Sequence, residues 1–387
     1  MRKVHLLSLA IAMASSTAYA VEQGEFVYHG FGTVGITHMG GEDDYDYGIQ
    51  GQTNDGWRGD QLSKFAVQGQ YGITDTLSLT GQLASKPQQD SWKVGPGNVY
   101  LAWQANDNLT LRGGRIGTPI YMYSETLNVG FSYPWLRLPE EVYSLVQLTS
   151  HDGADMLYNR STALGALSFQ LSGGNAIGRK QYALDDMHDI DYRDVFATSL
   201  ALSTDNFGTF RIGYAEADLK ITVDDVVDVN PGPGTTLLNI PFVTYDGNKG
   251  KFSSIGHQYD NGTWVSAAEA VKLSIENNSK TGDSQAETNA FYIMGGRRFG
   301  DYLAHVTYGQ MDEPAGRQVS MTYGLNYSFS PTVTLKGEYK RVDTSQGPDA
   351  LGVFQGNAQQ TFNNARLGQS YGTPDGDIIS VGVDFIF

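Results

Sequence analysis

Hydrophobic and polar positions alternate with a period of two over much of this chain. In the longest run, Val319-Ser320-Met321-Thr322-Tyr323-Gly324-Leu325-Asn326-Tyr327-Ser328-Phe329, every odd position is apolar or aromatic and every even one is small or polar. A tilted strand crossing a bilayer needs about 9–11 residues of this kind. After the turn Ser330-Pro331-Thr332, Val333, Leu335 and Tyr339 share one face of the next run, and Lys336, Glu338 and Lys340 share the other. The same unit recurs around Thr74-Asp75-Thr76, Asn106-Asp107-Asn108, Thr204-Asp205-Asn206 and Asp260-Asn261-Gly262, the last a strong hairpin signal. The pattern predicts sixteen strands, beginning near residues 26, 61, 77, 97, 109, 154, 166, 194, 209, 252, 263, 288, 302, 318, 333 and 377.

The connections sort into two classes. Every second one is a tight turn. The others are longer, Gly-rich and acidic: 39–60, 86–96, 118–152, 174–193, 218–250, 274–286, 311–316 and 343–376. Short turns at one end of a barrel and long loops at the other, with an even strand count, form the pattern of an outer-membrane barrel with short periplasmic turns. Tyr71, Trp103, Phe207, Tyr259, Trp264, Phe299, Tyr302 and Phe329 crowd the tight turns, where amphipathic rings would form a girdle at the membrane–water interface.

The last segment, Asp377–Phe387, places Ile379, Val381, Val383, Phe385 and Phe387 on one face and Ser380, Gly382 and Asp384 on the other. A chain ending on an apolar strand exposes a sticky edge unless that strand pairs with the first and closes a barrel. At the other terminus, Arg2 and Lys3 precede an apolar stretch, Val4 to Ala14, and Ala18-Tyr19-Ala20 is an A-x-A cleavage site. Residues 1–20 therefore read as a signal peptide, too short to span as a helix, and residues 21–387 as one barrel domain.

Composition narrows the partners. Without Arg2 and Lys3 the formal balance moves from 26 − 42 = −16 to 24 − 42 = −18, so nucleic acid is not expected as a partner. There is no cysteine, hence no disulfide framework. Gly (47) and Tyr (23) are abundant, as a barrel with an apolar outside and a wet inside requires.

The closing segment resembles the C-terminal insertion signal of bacterial outer-membrane proteins, carried here by Phe385 and Phe387. The whole mature chain resembles a Gram-negative porin, of a branch other than the best-known general porins, whose third loop carries a different short motif. The resemblance implies an all-β fold: a sixteen-stranded antiparallel transmembrane barrel with long outer loops, the third folded inward. It also implies a homotrimer in the bacterial outer membrane, exported through the periplasm. The partners it implies are outer-membrane lipid and lipopolysaccharide, the barrel assembly machinery, and small hydrophilic solutes or ions. The third outer loop, residues 118–152, is rich in aromatics and prolines: Thr118-Pro119-Ile120-Tyr121-Met122-Tyr123, then Tyr133-Pro134-Trp135-Leu136-Arg137-Leu138-Pro139-Glu140-Glu141. Such a loop needs a wall to pack on.

Parity assigns lumen-facing charges to Lys64, Arg112, Arg211, Glu269, Lys336, Glu338 and Lys340. Glu125, Glu140 and Glu141 on the inward loop face the basic wall residues, with Arg115 near the loop's start and Arg137 and Trp135 within it. Together they predict a transverse field across a constriction. The acidic total points to cation preference, and the wall lysines and arginines pull the other way. Acidic runs at Glu42–Asp46, Asp185–Asp191 and Asp224–Asp228 read as solvated loop faces. No nucleophile motif, metal-ligand spacing or cofactor motif stands out, so an enzyme is not expected, and neither is a metal or cofactor. Three readings follow: a passive diffusion channel; a substrate-specific channel for a sugar, oligosaccharide or organic acid, with Tyr121, Tyr123, Tyr133 and Trp135 to stack on sugar rings; and a non-channel adhesin or structural barrel, with 218–250 plugging the pore or latching onto a neighbouring barrel. A soluble β-solenoid is the remaining fold, disfavoured by uneven loop lengths.

Overall fold

The computed structural model describes residues 21–41, 45–47, 56–60, 62–88, 91–183, 186–230, 234–276, 286–314, 316–344, 354–356, 358–367 and 375–387. The expected signal peptide lies outside the described residues, as do Glu42, Asp43, Asp44 and Asp185 of the acidic runs.

Sixteen strands form one closed antiparallel barrel. They are β1 (Phe26–Gly41), β2 (Lys64–Gly72), β3 (Leu77–Gln88), β4 (Ser91–Asn106), β5 (Leu109–Gly117), β6 (Ser150–Thr162), β7 (Gly165–Ala183) and β8 (Asp186–Thr204). The second half comprises β9 (Gly208–Asp228), β10 (Leu237–Asp260), β11 (Trp264–Ile275), β12 (Ala286–Phe299), β13 (Tyr302–Glu313), β14 (Gly316–Ser330), β15 (Val333–Asp343) and β16 (Gly376–Ile386). Each pairs with its sequence neighbours, and β16 pairs with β1 from Phe31↔Ile386 to Gly41↔Gly376. The chain's last residue continues that seam through the Phe387 N–H to the Gly30 carbonyl and the Gly30 N–H to the Phe387 carbonyl, both 2.9 Å. The Phe387 ring lies directly over Gly30, leaving no room there for a Cβ.

Alternation decides which face meets lipid. Val34, Ile36, Val67, Leu79, Leu101, Ile255, Ile293, Leu325 and Val381 are exposed on the outside, whereas Thr33, Thr37, Thr80, Gln82, Gln170, Ser320 and Asp384 are buried within. This inverts a soluble sheet, because lipid covers the apolar face. At the tight-turn end Tyr71, Trp103, Phe207, Trp264, Phe299, Tyr302 and Phe329 are exposed as the expected girdle. Arg297 lies over both Trp264 and Phe299, about 5 Å from each ring centre.

The other end corrects the sequence reading. Four of the expected loops are paired strands: β3–β4 pair out to Gln88↔Ser91, β7–β8 to Ala183↔Asp186, and β13–β14 to Glu313↔Gly316. The expected 218–250 plug is instead a hairpin, with β9 and β10 paired out to Asp228↔Leu237. Its apolar Leu237 and Leu238 are exposed, and Pro241 sits where the register shifts, as proline in a sheet must. β4, β6, β8 and β10 accordingly start earlier than expected. Beyond the hydrocarbon both strand faces meet water, so the backbone ladder continues after the alternating signal has stopped.

Candidate functional site: the inward-folded third loop

Between β5 and β6 the chain leaves the wall and folds into the lumen. Ser124 starts the fold, its hydroxyl accepting the N–H groups of Ile120 (3.0 Å) and Tyr121 (2.8 Å). Tyr121 closes the base, its hydroxyl donating to the Val146 carbonyl and accepting the Val146 N–H. Two single 3₁₀ turns, Ser124–Thr126 and Gly130–Ser132, and one helical turn, α1 (Glu140–Tyr143), give the segment its compact shape.

Its apolar side chains account for the inward fold. Ile120, Tyr121, Met122, Tyr123, Tyr133, Trp135, Leu138 and Val142 form one buried cluster with wall residues from Ala197 on β8 to Met311 on β13. Trp135 is 1% exposed, edge-on to Tyr292 at 5.5 Å, and its indole N–H donates to Thr307 Oγ1 at 2.8 Å. Burying such side chains is worth about 1.5–3 kcal/mol each, which a surface loop would forgo.

Polar wall side chains then fix the loop's height and register. Glu269 accepts the Met122 N–H (2.8 Å) and the Tyr143 hydroxyl (2.6 Å), and Glu338 accepts the Leu136 N–H (2.8 Å). Lys336 Nζ donates to the carbonyls of Gly130, Tyr133 and Trp135 at 2.6–2.9 Å. It also pairs with Asp384 at 2.6 Å, and Asp384 accepts the Thr33 hydroxyl. One lysine thus ties the loop to β15, β16 and β1, across the barrel's closing seam. Lys340 bridges Glu140 (2.5 Å) and Glu141 (3.1 Å) on α1, Gln318 donates to Glu141, and Arg137 pairs with Glu140. Arg211 holds Glu125 through both guanidinium ends at 2.6 and 2.8 Å. Lys64 reaches the Tyr133 hydroxyl at 3.1 Å and the Leu127 carbonyl at 3.5 Å. Where Leu136 crosses the wall, Gly382 leaves the space that a Cβ would fill, 2.6 Å from the leucine methyl.

Eleven of the thirteen sequence-derived candidates are therefore brought to this loop–wall contact: Lys64, Glu125, Trp135, Arg137, Glu140, Glu141, Arg211, Glu269, Lys336, Glu338 and Lys340. Arg112 stands apart, lying over the Tyr100 ring and bonded through two nitrogens to Asp155, which also accepts from Gln170. Arg115 departs from the expectation. The ladder sets it level with Val99 and Asp152, on the outer face shared with Leu101 and Trp103. There it pairs with Asp152 at 2.7 Å, and Arg179 joins them. Its closeness in sequence to the loop's start does not bring it into the lumen. Most of the expected transverse field is also absorbed, since these carboxylates and cations are engaged with each other or with loop amides and carbonyls. Stacking on a sugar loses its basis too: Tyr121, Tyr123, Tyr133 and Trp135 are all buried.

Sequence reasoning missed Thr33, Gln318 and Asp384, polar residues that look like ordinary inward positions. Lys86 and Lys93, which fell within an expected outer loop, stand opposite each other on the paired strands β3 and β4.

No protein-family model matches the sequence, and no curated protein matches it. Solved structures do. The chain is similar to OmpT of Vibrio cholerae, an outer-membrane expressed protein, at 12% identity and a TM-score of 0.59, over 95% of this chain and 98% of that one. It is similar to an anion-selective porin from Comamonas acidovorans at 11% identity and a TM-score of 0.59, over 94% and 100%. It is also similar to the outer membrane channel DcaP of Acinetobacter baumannii at 11% identity and a TM-score of 0.53, over 94% and 98%. The fold is that of the outer-membrane porins.

Proposed function

We propose that this chain forms a water-filled channel in a bacterial outer membrane for passive diffusion of small hydrophilic solutes or ions, with its third loop as the constriction. The observation that carries the reading is the loop itself. An aromatic-rich segment, held inside a barrel by Lys336, Lys340, Arg211, Glu269 and Glu338, narrows the lumen from one side. Anchoring on this scale suits a passage that must stay at one width, since thermal motion of a loose loop would open and close it. Cleavage of residues 1–20, assembly as a homotrimer, contact with lipopolysaccharide and the absence of enzymatic activity belong to the same reading. Trimers are supported by likeness to a barrel solved in trimer form, OmpT of Vibrio cholerae.

The test is electrical. Folded protein reconstituted in a planar bilayer is expected to give stepwise conductance, in multiples of three if the unit is a trimer. Bilayers that contain folded protein and stay silent would overturn the channel reading.

A further inference from the structure

The wall beginning at the loop's edge carries a row of lysines with no carboxylate partner among the described residues. The ladders set Phe65 opposite Ser85 and Lys86 opposite Lys93. The same register continued by one residue puts Lys64 opposite Lys86, so Lys64, Lys86 and Lys93 lie side by side on β2, β3 and β4. Adjacent strands are about 4.8 Å apart, and directly opposed residues share a face. That face is the inner one. Phe65, Leu83 and Val94, which occupy the alternate parity, are exposed on the outside, Phe65 near Trp92 and Phe385, and Lys64 reaches the loop.

These three differ from the other lumen cations. Arg112 is paired with Asp155, Arg211 with Glu125, Lys336 with Asp384, and Lys340 with Glu140 and Glu141. Lys64 meets the Leu127 carbonyl and the Tyr133 hydroxyl and ring, and no carboxylate among the described residues. Lys86 and Lys93 are exposed, and among the described residues no carboxylate pairs with either. Three ammonium groups at strand spacing, Lys86 and Lys93 exposed and Lys64 half-buried at the loop's edge, form a row that a small dianion can bridge.

We infer that this row is an anion station: small solutes carrying two or more negative charges, such as dicarboxylates, bind across Lys64, Lys86 and Lys93 on their way past the loop, and the channel prefers anions although the chain's net charge is −16. The inference rests on the channel reading and names its solute class. Net charge belongs to the whole chain, but a passing ion feels what lies within about 8 Å at physiological salt. In water, an ammonium about 6 Å from a monovalent anion raises its local concentration roughly threefold.

The experiment uses the full chain in planar bilayers under a potassium chloride gradient. Wild-type protein is expected to show an anion-preferring reversal potential. Lys64→Gln/Lys86→Gln/Lys93→Gln is expected to lower the chloride-to-potassium permeability ratio by about three- to tenfold. Malonate should reduce the wild-type chloride current and do so far less in the variant, and glucose should affect neither. Lys64 also touches the loop, so Lys86→Gln/Lys93→Gln, which leaves the loop contacts intact, must shift the ratio in the same direction. A cation-preferring wild type, or a ratio that moves only when Lys64 is changed, overturns the station while leaving the channel. Silent bilayers overturn the channel reading, and the station with it.

Discussion

The two arcs of the barrel wall use charge in opposite ways. On the arc from β8 round to the closing seam, carboxylates and cations are matched and buried beneath the loop: Glu125 with Arg211, Glu140 and Glu141 with Lys340, Asp384 with Lys336. On the arc from β2 to β4, Lys86 and Lys93 stand in water and Lys64 lies at the loop's edge, with no carboxylate partner among the described residues. The same residue types, on the same inward parity, hold a structure together on one arc and face the passage on the other. The difference lies in what covers them, so parity alone cannot assign a lumen charge its role.

The largest effect is expected where that contrast is most concentrated. Lys336→Met removes the cation that serves three loop carbonyls and Asp384, and leaves the Asp384 carboxylate buried and unpaired. Breaking a buried pair in this way costs about 3–5 kcal/mol. The folded variant should lose its heat resistance on electrophoresis at a lower temperature and give larger, noisier conductance steps. Steps of unchanged size and noise would mean that the apolar cluster holds the loop without Lys336.

Trp135→Phe probes that cluster. It removes the hydrogen bond to Thr307 and part of the ring that fills the space beside Tyr292. A lost buried hydrogen bond that strands its partner, with some lost packing, amounts to about 1–3 kcal/mol. The loop should remain docked, and conductance noise should rise less than in Lys336→Met. A larger rise would make the aromatic cluster the principal anchor and the ion pairs secondary.

What the sequence disclosed follows from the same physics. The barrel, its closing strand and the inward loop were legible because lipid imposes a strict period of two and because an aromatic loop needs a wall. The loop's anchors were legible as inward charges, but not as anchors, because pairing depends on which residues the fold brings together from distant parts of the chain. Lys340 and Glu140 are 200 residues apart, and Lys336 and Trp135 are 201 apart. Arg115 misled because nearness in sequence says nothing about face. Lys86 and Lys93 were hidden because Ser85 interrupts the apolar half of the alternation on β3 and a register shift between Pro96 and Val99 breaks its parity on β4.

Acid should separate the arcs as well. Burial pushes the Glu125 and Glu141 carboxyls up, but Arg211 beside the first and Lys340 beside the second outweigh it, so both lie below the ordinary value of 4.5. A carboxyl depressed by folding contributes stability that is present above its unfolded pKa and is lost as pH falls through its folded one. The Glu125–Arg211 and Glu141–Lys340 pairs should therefore hold from neutral pH down to about pH 4.5 and weaken below it. Trp135 lies at the contact, so the protein's tryptophan fluorescence should change below that pH as the two pairs break. A change centred near pH 6 would belong to a group other than Glu125 and Glu141.

The smallest effect is expected at Arg115, and it tests the assignment of faces. Arg115 and Asp152 are a partly exposed pair on the outer side of β5 and β6, with Arg179 alongside. Exposed pairs are worth about 0–1 kcal/mol, so Arg115→Ala should leave thermal stability nearly unchanged. Its charge is separated from lumen water by the barrel wall, and the outer solution screens it. The variant should therefore keep the wild-type reversal potential, whereas Lys93→Gln, which removes one charge of the same sign from the inner face of the neighbouring β4, should shift it. If Arg115→Ala moved the reversal potential as far as Lys93→Gln does, the two positions would see the same ions and the inner and outer faces of β4 and β5 would have to be reassigned.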